Sequence, residues 1–430
     1  MMPFPLLLIC LLMAAMPVQA DWNRFRGPNG SGIASGRVPG TWSSSENVIW
    51  KAPLPGPGTS SAIVVGSAVL VTCWSGYGDG SPGEMAKLVR HVICLDNTTG
   101  QVRWSRAVPA VLPEDPYEGM ITEHGYASST PTSDGEAVYV FFGKTGVLCF
   151  DVKAGTQRWH TPIKTHSDDK HWGSAASPVL HGELLIVNAL TEAGAVIALD
   201  KRTGRQVWQT AEAGRQLAYG TPLLVERAGG GQDVVIPVRE QVWGIDAATG
   251  TQRWYAAHGL GGDVSPHAIL GGGLLYIFGG NPKQGSVALP PGGAGDLTAQ
   301  LKWQNKNSSY IPTPVYHEGR LYVINDQGFA LCMDARTGAE LYRERAMERL
   351  TGKRRAGGGQ PFYASPVLVN GRLYCPSRRN GTFVIAAKPT FELLAINVLA
   401  DDESSFNATP AVDGNRLYLR SDRFLYCLGE

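Results

Sequence analysis

A unit of about 40–55 residues recurs along this chain, and the recurrence limits the possible folds more than any other feature. Each copy of its core motif has an apolar stretch, an Asp, a small turn ending in Gly, and an aromatic residue four positions later. The copies are CLDNTTGQVRW (94–104), CFDVKAGTQRW (149–159), ALDKRTGRQVW (198–208), GIDAATGTQRW (244–254) and CMDARTGAELY (332–342). Repeats of this length are typical of units that bury their apolar faces against one another.

Each full unit predicts four short strands. In TPTSDGEAVYVFFGKTGVLCFDVKAGTQRW (130–159), the first strand follows Thr-Pro and a Gly turn leads to the second. The third strand ends in Asp, and the fourth carries the Trp. Asp oxygens accept bonds from turn amides, and Gly takes positive φ without steric cost. We therefore expect the repeated Asp and Trp to be architectural, with each Trp packed against the neighbouring unit.

The two ends of the chain are complementary. The last unit, TPAVDGNRLYLRSDRFLYCLGE (409–430), has only three strands, whereas NVIWKAPL (47–54) is a fourth strand without a unit. Joining them closes a ring, which leaves no long open sheet edge. The sequence thus predicts an all-β, eight-bladed β-propeller of four-stranded blades, with seven blades as the alternative. The fifth unit lacks the Asp-Thr-Gly turn, and the seventh lacks its Trp.

The N-terminus predicts export. Residues 1–20, MMPFPLLLICLLMAAMPVQA, form an apolar run that ends in Val-Gln-Ala, which indicates a signal peptide cleaved near Ala20. We therefore divide the chain into a signal peptide (1–20), an N-terminal extension (21–46) and the propeller (47–430). The expected location of the mature protein is periplasmic or extracellular.

Charge and cysteine content narrow the function classes. The net charge of +1 gives no electrostatic reason to expect a nucleic-acid partner. No run after the signal is long enough to span a bilayer, and we expect a monomer.

Cys94, Cys149, Cys332 and Cys427 occupy one repeat position in a buried strand, which predicts core packing rather than ligation. No CxxC or CxxCH motif is present, so neither a zinc site nor a c-type haem is supported.

The L-D-x-x-T-G-x-x-x-W motif resembles the tryptophan-docking repeat of PQQ-type propellers. That group includes the quinoprotein alcohol dehydrogenases and the outer-membrane assembly factor BamB. The N-terminal DWNRFRGPNGSGIA (21–34) resembles the start of exported PQQ-repeat proteins. The resemblance implies the scaffold, with PQQ and Ca²⁺ as the cofactor of the dehydrogenase branch. This chain has no Cys-Cys pair to match the dehydrogenases' vicinal disulfide, and no good lipobox to match BamB.

Candidate ligand-binding residues lie in the loops that precede each Ser/Thr-Pro site. In a propeller such loops meet at the mouth of the central channel, where convergent polar and aromatic groups form a binding site. The candidates are Glu123, His124, Trp172, Arg215, Tyr219, Asp263, His267, Tyr310, Gln360, Tyr363 and Asn407. Alternatively, these side chains only line a water-filled channel.

Two constellations suggest more specific chemistry. The loop WHTPIKTHSDDKHW offers metal ligands without tight ligand spacing, and a solvated rim is the competing interpretation. Its candidate ligands are His160, His166, Asp168, Asp169 and His171. Glu123 and His124, together with Asp263, could act as acid and base over a bound quinone or sugar if they come within hydrogen-bond reach.

Two functions follow. The first is an exported, non-catalytic propeller that binds a protein or polymer partner through its channel-mouth loops. The second is a PQQ-dependent oxidoreductase that acts on an alcohol or sugar. The missing vicinal cysteines and haem motif favour the first.

Overall fold

The chain folds into eight antiparallel sheets arranged as a ring, an eight-bladed β-propeller. The structure, a computed structural model, describes residues 22–80, 83–210, 218–281, 283–349 and 360–430. The predicted signal peptide lies outside these residues. Blades are numbered here by the chain order of their first strands, and within each blade the first strand is innermost.

The first four blades each run from the channel outward in four strands. Their bounds are Ile63–Val65, Ala68–Ser75, Val89–Asp96 and Val102–Pro109 in blade 1; Thr132–Ser133, Ala137–Phe141, Val147–Asp151 and Gln157–Thr161 in blade 2; Val179–His181, Leu184–Ala189, Ala195–Asp200 and Gln206–Gln209 in blade 3; and Leu223–Glu226, Gln232–Val238, Gln241–Asp246 and Gln252–Ala257 in blade 4.

The next four blades follow the same plan. Their bounds are Ile269–Gly271, Leu274–Gly279, Gly285–Leu289 and Trp303–Asn305 in blade 5; Val315–His317, Arg320–Ile324, Phe329–Asp334 and Glu340–Arg345 in blade 6; Val367–Val369, Arg372–Pro376, Thr382–Ala386 and Leu393–Asn397 in blade 7; and Ala411–Asp413, Arg416–Arg420, Phe424–Leu428 and Val48–Pro53 in blade 8.

Two short strands extend this plan by parallel pairing. Ile33–Ala34 pairs with the first strand of blade 7, and Gly295–Asp296 pairs with the fourth strand of blade 4. The helices are single turns in the connections. They are Pro28–Gly30, Met85–Lys87, Ile121–His124, Gly143–Thr145, Leu190–Ala193, Thr298–Gln300 and Ala346–Arg349. No helix among the described residues is long and apolar enough to cross a membrane.

The predicted ring closure is confirmed. Val48–Pro53 pairs antiparallel with Phe424–Leu428, with Val48 opposite Leu428 and Pro53 opposite Phe424. The last blade is therefore built from both ends of the chain. Without Val48–Pro53, the third strand of this blade would be left as an unpaired edge.

Each docked tryptophan covers the glycine turn of the next blade. Trp104 donates its Nε1 hydrogen to the carbonyl oxygen of Val152 at 2.9 Å, and its ring lies against Gly155. A Cβ at Gly155 would sit 2.5 Å from Trp104 Cδ2, and the glycine has a φ of +65°. The motif therefore needs Gly for two reasons, the backbone conformation and the approach of the indole. Trp50, Trp159, Trp208 and Trp303 make equivalent contacts.

The repeated Asp organises the turn beside that Gly. Asp96 Oδ1 accepts hydrogen bonds from the backbone amides of Thr98 and Thr99, both at 2.9 Å. Asp151 and Asp200 make the same pair of bonds in their own blades. These carboxylates and indoles hold the scaffold together, as the repeat predicts.

The degenerate fifth unit changes the packing between blades 4 and 5. Because blade 5 lacks the Asp-Thr-Gly turn, Trp254 of blade 4 has no such turn to cover. Its Nε1 donates instead to Asp233 Oδ2 at 2.8 Å. The long third connection of blade 5 supplies Gly295–Asp296, which pairs with Trp254 and Tyr255.

The core lies between the blades and uses the cysteines as small apolar residues. All six cysteines of the described chain are buried and free of disulfides; they are Cys73, Cys94, Cys149, Cys332, Cys375 and Cys427. Burial raises the pKa of each thiol, to about 11 at Cys94, so these groups stay protonated. Their role in packing is confirmed.

The N-terminal segment 22–32, called here the plug, crosses the centre of the ring. The carbonyl oxygen of Trp22 accepts from Val64 of blade 1, and Asn23 exchanges two hydrogen bonds with Ser133 of blade 2. The carbonyl oxygen of Gly32 accepts from Leu368 of blade 7 at 2.7 Å. Arg26 bonds Thr313 of blade 6, which lies opposite blade 2 in an eight-membered ring, so the plug spans the channel.

Arg26 is the central contact of the plug and is fully buried. Its guanidinium donates to two carbonyls of the plug itself and to three at the starts of blades 6 and 7. The accepting oxygens belong to Gly30, Ser31, Thr313, Pro314 and Pro366, at 2.7–3.2 Å. A planar fork with five N–H groups suits this set of converging acceptors.

Candidate functional site

A cavity of about 970 Å³, counting its opening to solvent, lies above the plug. Its position follows from strand order. First strands begin at this end of the channel and fourth strands return to it, so the connections between blades gather here, while the Asp-Gly turns lie at the opposite face. Phe25 of the plug also lines the cavity. We call the cavity the cup and its opening the mouth.

The structure brings eight of the eleven predicted site residues to this cavity. They are Glu123, His124, Trp172, Tyr219, His267, Tyr310, Tyr363 and Asn407. Asp263 is completely buried and is not among the lining residues, and neither is the half-buried Gln360. Arg215 falls in the segment 211–217, outside the described residues.

One side of the mouth is held by a cluster around Arg378. The guanidinium forms an ion pair with Glu123, and its Nε donates to Asn407 Oδ1 at 3.1 Å. It also lies 4.3 Å from the ring centroid of Tyr363, a cation–π contact. Because Asn407 Nδ2 donates to the backbone of Glu123 at 3.1 Å, the cluster joins the loop after blade 1 to blades 7 and 8.

An aromatic wall forms the opposite side. The rings of Trp172 and Tyr219 stack with centroids 6.2 Å apart, and the Tyr219 hydroxyl donates to Asp168 Oδ2 at 3.0 Å. Lys170 lies 4.1 Å from the Trp172 ring and donates to Asp263 Oδ2 at 2.6 Å. Burial and the nearby Asp168 raise the pKa of Tyr219, which therefore stays protonated as a hydrogen-bond donor.

His124 uses both ring nitrogens within the protein. Nε2 lies 2.8 Å from the carbonyl oxygen of Trp172 and so carries the proton, while Nδ1 accepts from the Ser128 hydroxyl at 2.7 Å. Burial lowers the pKa of His124, so the neutral form is favoured. Through these two hydrogen bonds, His124 links two of the mouth loops.

The metal hypothesis for the loop 159–172 finds no matching geometry. His160 Nε2 lies 2.7 Å from the carbonyl oxygen of Thr145, and His171 Nδ1 lies 3.0 Å from Asp115. Asp168 accepts from Tyr219, while His166 and Asp169 are exposed. In the part of the chain that the structure describes, no three His, Cys, Asp or Glu side chains are grouped to hold a metal ion.

Sequence reasoning missed three parts of the site. Arg378 lies between the second and third strands of blade 7, a connection that also reaches the mouth. Phe25 belongs to the plug, whose path through the channel leaves no periodic signal. The third part is a set of hydroxyls at the starts of the first strands, visible in the repeated Ser/Thr-Pro pairs but interpreted only as strand boundaries.

Comparison with known proteins places this architecture in a family. The profile of the family described as outer membrane protein assembly factor BamB matches residues 34–218 and 172–387. The chain belongs to this family. It is a PQQ-type, BamB-like propeller protein.

Individual relatives are distant. Outer membrane protein assembly factor BamB of Burkholderia pseudomallei is 29% identical over 245 residues, which cover 53% of this chain and 58% of the relative. The match therefore spans little more than half of that protein.

Two solved structures share the fold. BamB from Moraxella catarrhalis superposes with a TM-score of 0.62 at 15% identity, covering 89% of this chain and 97% of the other. A europium-containing methanol dehydrogenase superposes with a TM-score of 0.60 at 11% identity, covering 93% and 89%. At these identities the likeness concerns the fold alone.

The described lining does not fit PQQ with Ca²⁺. Calcium takes six to eight oxygen ligands, usually with carboxylates among them. Glu123 supplies the one carboxylate among the described lining residues, and it is already paired with Arg378. Nor does the described lining contain a Lys or Arg side chain to neutralise the carboxylates of the quinone.

Proposed function

We propose that this BamB-family propeller is an exported, non-catalytic binding protein that receives a protein or polymer partner at the mouth of its channel. The proposal rests on the ion pair and hydrogen bonds that the ionisable groups at the mouth make within the protein. Glu123 is paired with Arg378, and His124 has no free ring nitrogen. A general base needs a free lone pair within reach of substrate. His124 offers none, and the Glu123 carboxylate is held by Arg378 through Oε2.

The same contacts favour binding. Ion pairs and stacked rings fix the mouth loops against one another, so little freedom would be lost when a partner docks. The aromatic rings of Trp172, Tyr219 and Tyr363 face a concave cup. Aromatic residues in such a depression are typical anchors for a partner.

A photo-crosslinking residue at Met120 should trap the partner in exporting cells. Met120 lines the cavity, whereas the matched control, Lys153, is exposed in a turn at the opposite face. We expect a discrete adduct from position 120 and none from position 153, resolved by gel mobility and mass spectrometry. Equal adducts at both positions, or none at either, would contradict a mouth-directed partner.

PQQ and Ca²⁺ together should leave the melting temperature of the mature protein unchanged. A ligand that binds the native state raises stability in proportion to its occupancy. Since the described lining fits neither the metal nor the quinone, we expect no shift and no dye reduction with alcohols or sugars. A clear upward shift that Tyr219→Ala abolishes would instead support the dehydrogenase function and overturn this proposal.

A further inference from the structure

Eight residues, one from each blade, surround the channel where the first strands begin. We call this set the inner ring. Its members are Ser61, Thr130, Ser177, Thr221, His267, Thr313, Ser365 and Thr409. Seven are Ser or Thr, and blade 5 alone has a histidine. His267 is placed in the ring by its backbone amide, which donates to the Thr313 hydroxyl at 3.3 Å as the amides of other members donate to the next blade.

The hydroxyls of the ring join the blades. The Thr130 hydroxyl accepts from the backbone amide of Ser61 at 2.9 Å, and Ser177 accepts from Thr130 at the same distance. Four more hydroxyls accept from a backbone amide of the preceding blade in the same way: those of Thr221, Thr313, Ser365 and Thr409. Each hydroxyl therefore uses one lone pair to link two blades.

These bonds leave six hydroxyl protons available at the cavity. Thr130, Ser177, Thr221, Thr313, Ser365 and Thr409 all line it. Within the described chain, none of the six hydroxyls donates to a protein acceptor. A hydroxyl carries one donor as well as its lone pairs. The wall of the cup is thus a ring of hydrogen-bond donors.

His267 breaks this pattern with an unpaired acceptor. Its Nδ1 donates to the carbonyl oxygen of Ala268 at 2.8 Å, which leaves a lone pair on Nε2. Nε2 is buried without a hydrogen-bond partner, although the side chain lines the cavity. Phe25 lies edge-on to the imidazole, with centroids 5.9 Å apart.

The imidazole is neutral. Burial, followed by the charges of Arg26 and Arg24, holds the pKa of His267 well below its usual range. Neither guanidinium is paired with a carboxylate among the described residues, and both lie in the plug beneath the ring. Nε2 is therefore a hydrogen-bond acceptor at neutral pH and a weak base.

The cup thus combines three features that together define a ligand class. The six hydroxyl donors can bond a ligand that has several lone pairs. His267 Nε2, an acceptor, can bond a ligand that has at least one O–H or N–H group. The aromatic wall of Trp172 and Tyr219 calls for a flat apolar face. A sugar ring meets all three demands, since its hydroxyls both donate and accept while its axial C–H groups form an apolar face.

We propose that the cup binds a carbohydrate unit, with a sugar hydroxyl donating to His267 Nε2 and the ring lying against Trp172. This inference rests on the proposed function, because the sugar would be the part of the polymer partner that enters the mouth.

His267→Thr is the sharpest test, because it restores the residue type of the other blades. Threonine removes the unpaired acceptor and places a hydroxyl where the Thr221 amide could bond it, so we expect an unchanged or higher melting temperature. The probes are methyl glucoside, methyl N-acetylglucosaminide and methyl glucuronide at millimolar concentrations. Saturation-transfer NMR should show ring-proton contact for at least one of them with the wild-type protein.

The variant should bind that glycoside about tenfold more weakly, the effect of one lost hydrogen bond. Trp172→Leu gives a second reading if His267→Thr fails to fold. No contact from any of the three glycosides overturns the inference, as does full affinity in both variants. So does binding of tetraglycine in their place, which would indicate a peptide-binding cup.

The two proposals fail differently. A Met120 adduct with a protein, combined with no glycoside binding, would overturn the carbohydrate inference and leave the binding function standing. A cofactor-dependent melting shift would overturn the binding function itself.

Discussion

Arg26→Met should lower the free energy of unfolding by about 3–5 kcal/mol, the cost of leaving several buried carbonyls without a donor. The guanidinium bonds Thr313 and Pro314 at the start of blade 6 and Pro366 at the start of blade 7. Methionine keeps an unbranched apolar stem but donates to none of them. Urea denaturation followed by tryptophan fluorescence measures the change.

Two substitutions control for side-chain size and charge. Arg37→Met alters an exposed arginine of the same N-terminal region and should change stability by no more than about 0.5 kcal/mol. Arg26→Lys keeps the charge but replaces a five-donor fork with one ammonium, so it should recover only part of the loss. Equal urea midpoints for Arg26→Met and Arg37→Met would show that the plug does not hold the ring together.

The contrast between plug and blades explains what could be predicted from sequence. The blades were predictable because their determinants are local and repeated. Asp96 bonds amides two and three residues away, and each docked Trp meets a Gly that the motif also specifies. Ring closure followed because three terminal strands and one orphan strand complete a single blade.

The plug was not predictable in the same way. Its contacts join Arg26 to carbonyls about 290 and 340 residues away, and main-chain acceptors have no sequence signature. The sequence shows only that DWNRFRGPNGSG differs from the repeat. That the segment crosses the channel is a property of the assembled ring.

The mouth was predictable by position but not by pairing. Repeat order placed eight candidate residues around one cavity. It did not indicate that Glu123 would be neutralised by Arg378, because that arginine lies 255 residues away in a different kind of connection. The departure of His267 from the Ser/Thr pattern was visible, yet its meaning depends on an unpaired Nε2 that only the structure shows.

These observations connect the scaffold to the site. Each of the six inner-ring hydroxyls that line the cup accepts one hydrogen bond from a neighbouring blade and has a proton that it can donate into the cavity. The same residues therefore join the blades and line the cup. Among the described residues, the plug lies across the end of the channel opposite the mouth. Whatever binds at the mouth contacts loops from blades that are far apart in sequence.

Trp50→Ala tests whether ring closure is a weak point. Trp50 and Trp104 are buried to the same extent, 8% and 7% exposed, and each donates to a turn carbonyl and covers a turn glycine of the next blade. Replacing either should lower the free energy of unfolding by about 3–5 kcal/mol. The two variants should differ in whether the loss of stability is local or global. The reason is that only Trp50 belongs to a strand that reaches its blade from the other end of the chain.

Hydrogen exchange separates the two cases. In Trp50→Ala, Val48–Pro53 is able to detach without unfolding the other blades, so its amides and those of Phe424–Leu428 should exchange faster than the global rate. In Trp104→Ala, the affected strand is joined to its partner strand by a tight turn, which Val48–Pro53 lacks, and exchange should quicken throughout the molecule. Identical exchange patterns would mean that the closing strand is as firmly held as any internal one, and that the hydrogen bonds between Val48–Pro53 and Phe424–Leu428 outweigh its indole contact.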